Sequence, residues 1–240
     1  MIRVMGRYLE GVPFNLSVKE EEILNHLQNS SFIYDYSSLR DLRFELHLRS
    51  KIIEAAIQLG RSGAEFTVFK YSRFNPLYWT KTSRGYVLKP NVLPSVAIND
   101  VFINGQEYAF ECSTAIVLIY YYAVLKSINE VYFNQLFQSL LVWDWSYDED
   151  LGIITKVGTD FIPGDVMYFY NPDYENPVWI GENVVFLGNG LYFGHGVGSK
   201  TAEGMIEALN TLRKSNATRS AHLIPQHSRL NFQYLSQFAR

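Results

Sequence analysis

Glu107-Tyr-Ala-Phe-Glu-Cys-Ser-Thr-Ala-Ile-Val-Leu-Ile-Tyr-Tyr-Tyr-Ala-Val-Leu-Lys126 is the stretch on which the fold turns. It holds the only cysteine of the chain, Cys112, a short way after the turn signal Asn104-Gly105. Ser113 and Thr114 precede an uncharged run from Ala115 to Leu125. Ser or Thr ahead of such a run starts a helix, because the hydroxyl accepts a free backbone N–H. A helix apolar on every side belongs in the middle of a fold or in a membrane. This run falls well short of the ~20 residues that span a bilayer. The stretch therefore predicts a central buried helix with Cys112 at its N-terminal end. Free N–H groups and the helix dipole favour an anion there, and a thiol so placed has its pKa drawn down from about 8.5. The competing reading is a small buried hydrophobe, the usual role of a lone cysteine in a reducing compartment.

Working outward, 240 residues point to one domain, 1–240, with residues 1–30 as an N-terminal extension. A hydrophobic content of 48% places the chain among globular rather than disordered proteins. Twenty-one basic against 24 acidic residues give a net charge of −3, so nucleic acid is not the expected partner. One cysteine excludes an internal disulfide framework. Met-Ile-Arg-Val-Met-Gly-Arg7 has no apolar h-region, so synthesis and folding in a cytosol are expected, without a signal peptide.

Ser17-Val-Lys-Glu20 is a capping box opening a helix to about Asn29. Ser38 caps a longer one, Leu39 to about Leu59, on which His47 reads as structural. Phe66 to Tyr71 and Tyr78 to Leu88 read as strands, the second broken near Ser83-Arg84-Gly85. Ser95 to Ile103 is a short helix. Ser127-Ile-Asn-Glu130 reads as a second capping box, opening a helix to about Leu140. Asp148-Glu149-Asp150 is expected to be a solvated loop, because metal loops need more ligands at fixed spacing. Strands follow at Val166–Tyr170, Asn183–Leu187 and Leu191–Phe193, the last two joined by the hairpin signal Gly188-Asn189-Gly190. A helix from Thr201 to about Leu212 and a strand at Ala221–Ile224 close the chain. Helices around a central helix, then mostly strands, make an α+β fold.

A thiol nucleophile needs a base brought to it by the fold. Among five histidines, His195 stands out because glycines flank it in Phe193-Gly-His-Gly196. If Asn189-Gly190 is the hairpin turn, His195 opposes Val184 and Glu182 is its diagonal neighbour. If Gly188-Asn189 is the turn, His195 faces Glu182 directly. Either two-residue turn puts both side chains on one face, whereas a three-residue loop separates them. A structural ion pair and a catalytic pair fit this spacing equally. Glu111, beside the thiol, is a second acidic candidate or simply the helix cap.

Tyr108-Ala-Phe-Glu-Cys-Ser-Thr-Ala-Ile-Val117, Trp179-Ile-Gly-Glu-Asn-Val184 and Phe193-Gly-His-Gly196 closely resemble the bacterial spore-coat transglutaminases, the protein-glutamine γ-glutamyltransferases. Phe44-Glu-Leu-His-Leu-Arg49 and Leu209-Asn-Thr-Leu-Arg213 resemble further segments of that family. The similarity covers nearly the whole chain and is weakest in the first thirty residues. It implies Cys112 as nucleophile, Glu182 and His195 as its partners, and a narrow tunnel with Trp145 and Trp179 in its wall. It also implies ε-(γ-glutamyl)lysine crosslinks made through a Cys thioester; that chemistry requires no metal or cofactor, and with no acidic loop of calcium-ligand spacing in the sequence, calcium-independent activity is expected. The implied partners are Gln- and Lys-bearing spore coat proteins, the implied location is the spore coat, and no membrane is involved. Pro163-Gly-Asp-Val-Met-Tyr-Phe169 resembles a wider relative, the NlpC/P60 cysteine peptidases of papain-like fold. That likeness implies a Cys-bearing helix packed on an antiparallel sheet. Two alternatives to the transglutaminase reading stand beside it, an NlpC/P60-like amidase or peptidase that hydrolyses, and a non-catalytic coat protein. In those peptidases the catalytic His begins the hairpin, where Glu182 stands here, so the direct partner of the thiol is either Glu182 or His195.

Overall fold

The computed structural model describes residues 1–240. Seven α-helices are present: α1 (Val18–Asn29), α2 (Leu39–Leu59), α3 (Pro94–Ile103), α4 (Cys112–Ser127), α5 (Glu130–Leu136), α6 (Ala202–Asn210) and α7 (Phe232–Leu235). In the capping box of α1, Ser17 and Glu20 each satisfy the other's backbone N–H, as the sequence predicts. Helix α4 is the centre of the molecule. Every residue from Ala115 to Leu125 is buried, and α2 lies along it with Leu42, Leu46, Ile53 and Ala56. No helix is long and apolar enough to cross a membrane.

Two helix starts differ from expectation. The cap of α4 is Glu111, the cap alternative already read for it, rather than Ser113 or Thr114; its side chain accepts the Thr114 N–H, and Cys112 is the first helical residue, at the N-terminal end expected of it. A carboxylate at that position satisfies an orphan donor and also opposes the positive end of the dipole. Ser127 does not open α5. It closes α4, donating its hydroxyl proton to the Ala123 carbonyl at 2.8 Å, and Asn129 caps α5.

Beside the helices stands a six-stranded antiparallel sheet. Its order is Gly198–Thr201, Leu191–Gly194, Gly181–Gly188, Val166–Tyr170, His222–Arg229 and Ile154–Val157. The Ile154–Val157 strand is exposed at every position, so no apolar alternation announces it. His222–Arg229 runs well past Ile224 despite Pro225, because the ladder with Val166–Tyr170 slips there and asks no N–H of the proline. The run Phe66–Tyr71 is not a strand. Only Glu65–Phe66 pairs, parallel to Ala109–Phe110, and a 3-10 turn follows. That short pairing brings Phe66 next to the cysteine segment.

One face of the sheet packs on α4 and α2. The other carries Met167, Phe169, Val184 and Phe186 against Met205 and Leu209 of α6. A buried ion network locks α2 to the sheet. Asp165 accepts from Arg49 at 2.8 Å and from Arg229 at 2.5 Å and 3.0 Å, and Arg49 also donates to Glu45 at 2.8 Å.

Candidate active site

The thiol sits where the central helix meets the strand Gly181–Gly188. Cys112 is half-buried at the head of α4, and Asn183 Nδ2 donates to its Sγ at 3.4 Å. Asn183 pairs with Tyr168 across the ladder, and both line the same cavity as Cys112. This cavity has a volume of about 680 Å³ and is bounded by Phe66, Trp145, Tyr147, Met167, Val178 and Ile180 among others. The helix dipole does not win at the thiol. Burial, and after it the Glu182 carboxylate, push the Cys112 thiol up to about 12, against the Asn183 hydrogen bonds that favour the thiolate.

Glu182 is 1% exposed. It accepts the Gly196 N–H at 3.0 Å through Oε1, while its Oε2 has no hydrogen-bond partner. With one N–H opposing the cost of desolvation, burial raises its carboxyl to about 8. The glycines around His195 exist for this side chain. A Cβ at Gly194 would stand 2.7 Å from Glu182 Cγ, and one at Gly196 would stand 3.3 Å from Oε2 and 3.1 Å from the Phe66 ring. Any larger residue at 194 would displace the carboxylate.

His195 and Glu182 do not form the expected pair. The hairpin turns at Asn189-Gly190, both with positive φ as a type I′ turn requires. Gly188 then pairs with Leu191, but Phe186 pairs with Tyr192, so Leu187 is left over as a bulge. That extra residue shifts the register by one, bringing Gly194 opposite Val184. His195 instead stacks on Phe110 at a centroid distance of 4.7 Å and contacts the Glu65 carbonyl oxygen through Nε2 at 3.2 Å. A carbonyl only accepts, so Nε2 carries the proton. Burial pushes the imidazole down to about 4, and it is neutral.

The two tryptophans also part company. Trp145 lines the cavity; Trp179 does not, but stacks on Phe66, which does, at 5.0 Å and 22°. Asn183, Tyr168 and Phe66 escaped the sequence reading. Asn183 lay inside the quoted Trp179–Val184 motif, but only register tells which of its residues faces the thiol.

The chain matches the family profile described as protein-glutamine gamma-glutamyltransferase over residues 1–239. A protein-glutamine gamma-glutamyltransferase of Bacillus cereus is 43% identical over 227 residues, covering 93% of this chain and 82% of that one. One of Bacillus pumilus is 44% identical over 227 residues, covering 93% of this chain and 92% of the relative. Among solved structures, a transglutaminase from Geobacillus stearothermophilus, without its C-terminal extension, superposes with a TM-score of 0.81 at 51% identity, covering 84% of this chain and 98% of that one. An amidase or an idle coat protein is thereby disfavoured, and the chain belongs to the protein-glutamine γ-glutamyltransferase family, as a transglutaminase acting on protein substrates.

Proposed function

We propose that Cys112 is the nucleophile, that Glu182 is the group that takes and returns its proton, and that His195 holds the wall behind them. The observation that carries this reading is the Glu182 carboxyl, buried, half-satisfied and raised to about 8. A general base works best with a pKa near the working pH. As Sγ attacks the γ-carboxamide carbon of a glutamine, the thiol proton passes to the Glu182 carboxylate. The oxyanion is held by the Cys112 N–H, free at the first position of α4, and by the Asn183 amide, now 3.4 Å from Sγ. Glu182 then protonates the departing nitrogen, ammonia leaves, and a thioester remains. A lysine amine attacks the thioester, loses its proton to Glu182, and expels the thiolate, which recovers a proton from the acid. The product is an isopeptide bond. A neutral His195 does not stabilise a thiolate by charge; it packs Phe110, the residue two before the thiol. Trp145 and, through Phe66, Trp179 keep water from the thioester.

The natural substrates in this reading are Gln- and Lys-bearing spore coat proteins, met in the spore coat. Support for it is the sequence resemblance to coat enzymes and the Bacillus origin of relatives such as those above. Incorporation of a labelled primary amine into a glutamine-rich protein tests the chemistry, and labelled amine in coat fractions of sporulating cells tests the substrates. Wild type should incorporate label and Cys112→Ala none, with a stability cost of ~1 kcal/mol or less. Label incorporated by Cys112→Ala at the wild-type rate would place the nucleophile elsewhere.

A further inference from the structure

The acyl acceptor of this reaction is a lysine ammonium, a cation that must reach an apolar cavity. Of the residues lining that cavity, only Glu111 and Asp144 carry charge, and neither Lys, Arg nor His is among them. Glu111 is turned toward the helix: its Oε1 accepts the Thr114 N–H at 2.9 Å and the Asp144 N–H at 3.0 Å, and its Oε2, which has no partner, is buried away from solvent, below where a cation first arrives. Asp144 is different. It is exposed, at the mouth, next to Trp145. Its φ is +53°, a conformation L-residues rarely adopt. Two acceptors hold its N–H in that pose, Glu111 Oε1 at 3.0 Å and Thr114 Oγ1 at 2.8 Å. Its Oδ1 accepts the Ser113 hydroxyl proton at 2.8 Å, which fixes the carboxylate and leaves Oδ2 out of every hydrogen bond and ion pair. The head of the Cys112 helix thus spends three side chains on presenting one carboxylate oxygen at the cavity mouth.

We propose that Asp144 recruits the lysyl ammonium of the acyl acceptor and is a specificity-determining residue for the second half-reaction. The inference rests on the transglutaminase reading of Cys112. Oδ2 binds the ammonium, the aliphatic stem lies along Trp145, and the ammonium releases its extra proton to solvent water at the mouth before the neutral amine moves inward to the thioester. Acylation by glutamine involves no cation and does not use this oxygen.

The test compares two acceptors at mildly alkaline pH with one glutaminyl peptide as donor: a lysyl peptide, which is cationic, and hydroxylamine, which is not. In wild type the kcat/KM for the lysyl peptide, but not for hydroxylamine, should fall as salt is raised. In Asp144→Asn the ratio of the two kcat/KM values should fall about fivefold, the scale of one exposed charge contact. Asn still accepts from Ser113 and tolerates positive φ, so the backbone pose is kept. Asp144→Gly, which relieves the backbone, should lower the ratio equally. An unchanged ratio in both variants, even with lower absolute rates, overturns the proposal and makes Asp144 a structural residue. A wild-type enzyme that forms neither adduct overturns the transglutaminase reading itself.

Discussion

Asp165, just before the strand Val166–Tyr170, and Glu182, on the neighbouring strand Gly181–Gly188, are both buried carboxylates, 0% and 1% exposed, and they behave in opposite ways. Asp165 lies between Arg49 and Arg229 and accepts from both, and also from the Ile162 N–H at 2.9 Å. Burial alone would raise its pKa, but the two guanidinium groups outweigh it and hold the carboxyl below its ordinary range. Glu182 has one N–H donor, one orphan oxygen and no cation, so burial wins. Equal burial therefore leaves one carboxyl ionised between two cations and lets the other hold its proton up to about 8. The difference lies in what the neighbouring strands and helices bring, and a carboxylate left this short of partners supports the role proposed for Glu182.

Exchanging each for its amide gives the largest expected contrast. Asp165→Asn removes the one charge partner of Arg229 and leaves Arg49 with Glu45 alone, and should cost about 3–5 kcal/mol, a melting shift on the order of 10 °C. Its activity should fall only as far as folded protein is lost. Glu182→Gln should lower crosslinking about a hundred- to ten-thousandfold with no loss of stability. The unfolded chain releases the Glu182 proton near its ordinary pKa of 4.5, while the fold retains it up to about 8. The burial cost thus sets in as pH climbs through 4.5 and is complete above about 8. Relative to wild type, the melting temperature of Glu182→Gln should rise across that window and match it below pH 4. A melting loss in Glu182→Gln as large as that of Asp165→Asn would erase the comparison.

Thiol titration sharpens it further. Removing the Glu182 charge should lower the Cys112 pKa below about 12, whereas His195→Ala, losing a neutral ring, should leave it in place. Rates of iodoacetamide alkylation against pH measure both. A raised thiol pKa in His195→Ala would make imidazolium the partner instead. A smaller effect is expected of Trp179→Ala. Phe66 loses its stacking partner and water gains access, so the ratio of glutamate formed to amine incorporated should rise about two- to fivefold at little cost in folding. An unchanged ratio would detach Trp179 from the wall. The smallest expected effect is none: crosslinking by the transglutaminase should be the same in chelator as with added calcium. No three His, Cys, Asp or Glu side chains converge, and Asp148 and Asp150 are spent as a cap and as an acceptor for Tyr234. Activity lost in chelator and restored by calcium would refute this.

Much of the molecule could be read from local pattern. The uncharged run Ala115–Leu125 could only be buried, and the helices at Val18–Asn29 and Leu39–Leu59 carried their caps in the sequence. These are effects of residues within one or two turns of each other, so a linear text contains them. Cys112, Glu182 and His195 could be singled out for the same reason, from helix-start chemistry and from glycines beside a hairpin. Their relation could not. One bulged residue, Leu187, reversed the parity that would have joined His195 to Glu182, and nothing in Val-Val-Phe-Leu-Gly announces a bulge. The thiol's pKa runs opposite to what its place at a helix start implies, because the helix dipole is written in the local sequence, whereas desolvation and the Glu182 carboxylate come from strands seventy residues away in the chain. Helix and strand identity follow from short-range sterics and hydrogen bonding. Proton affinity follows from what surrounds a group in space, and here only the packing of α4 against the sheet decided that.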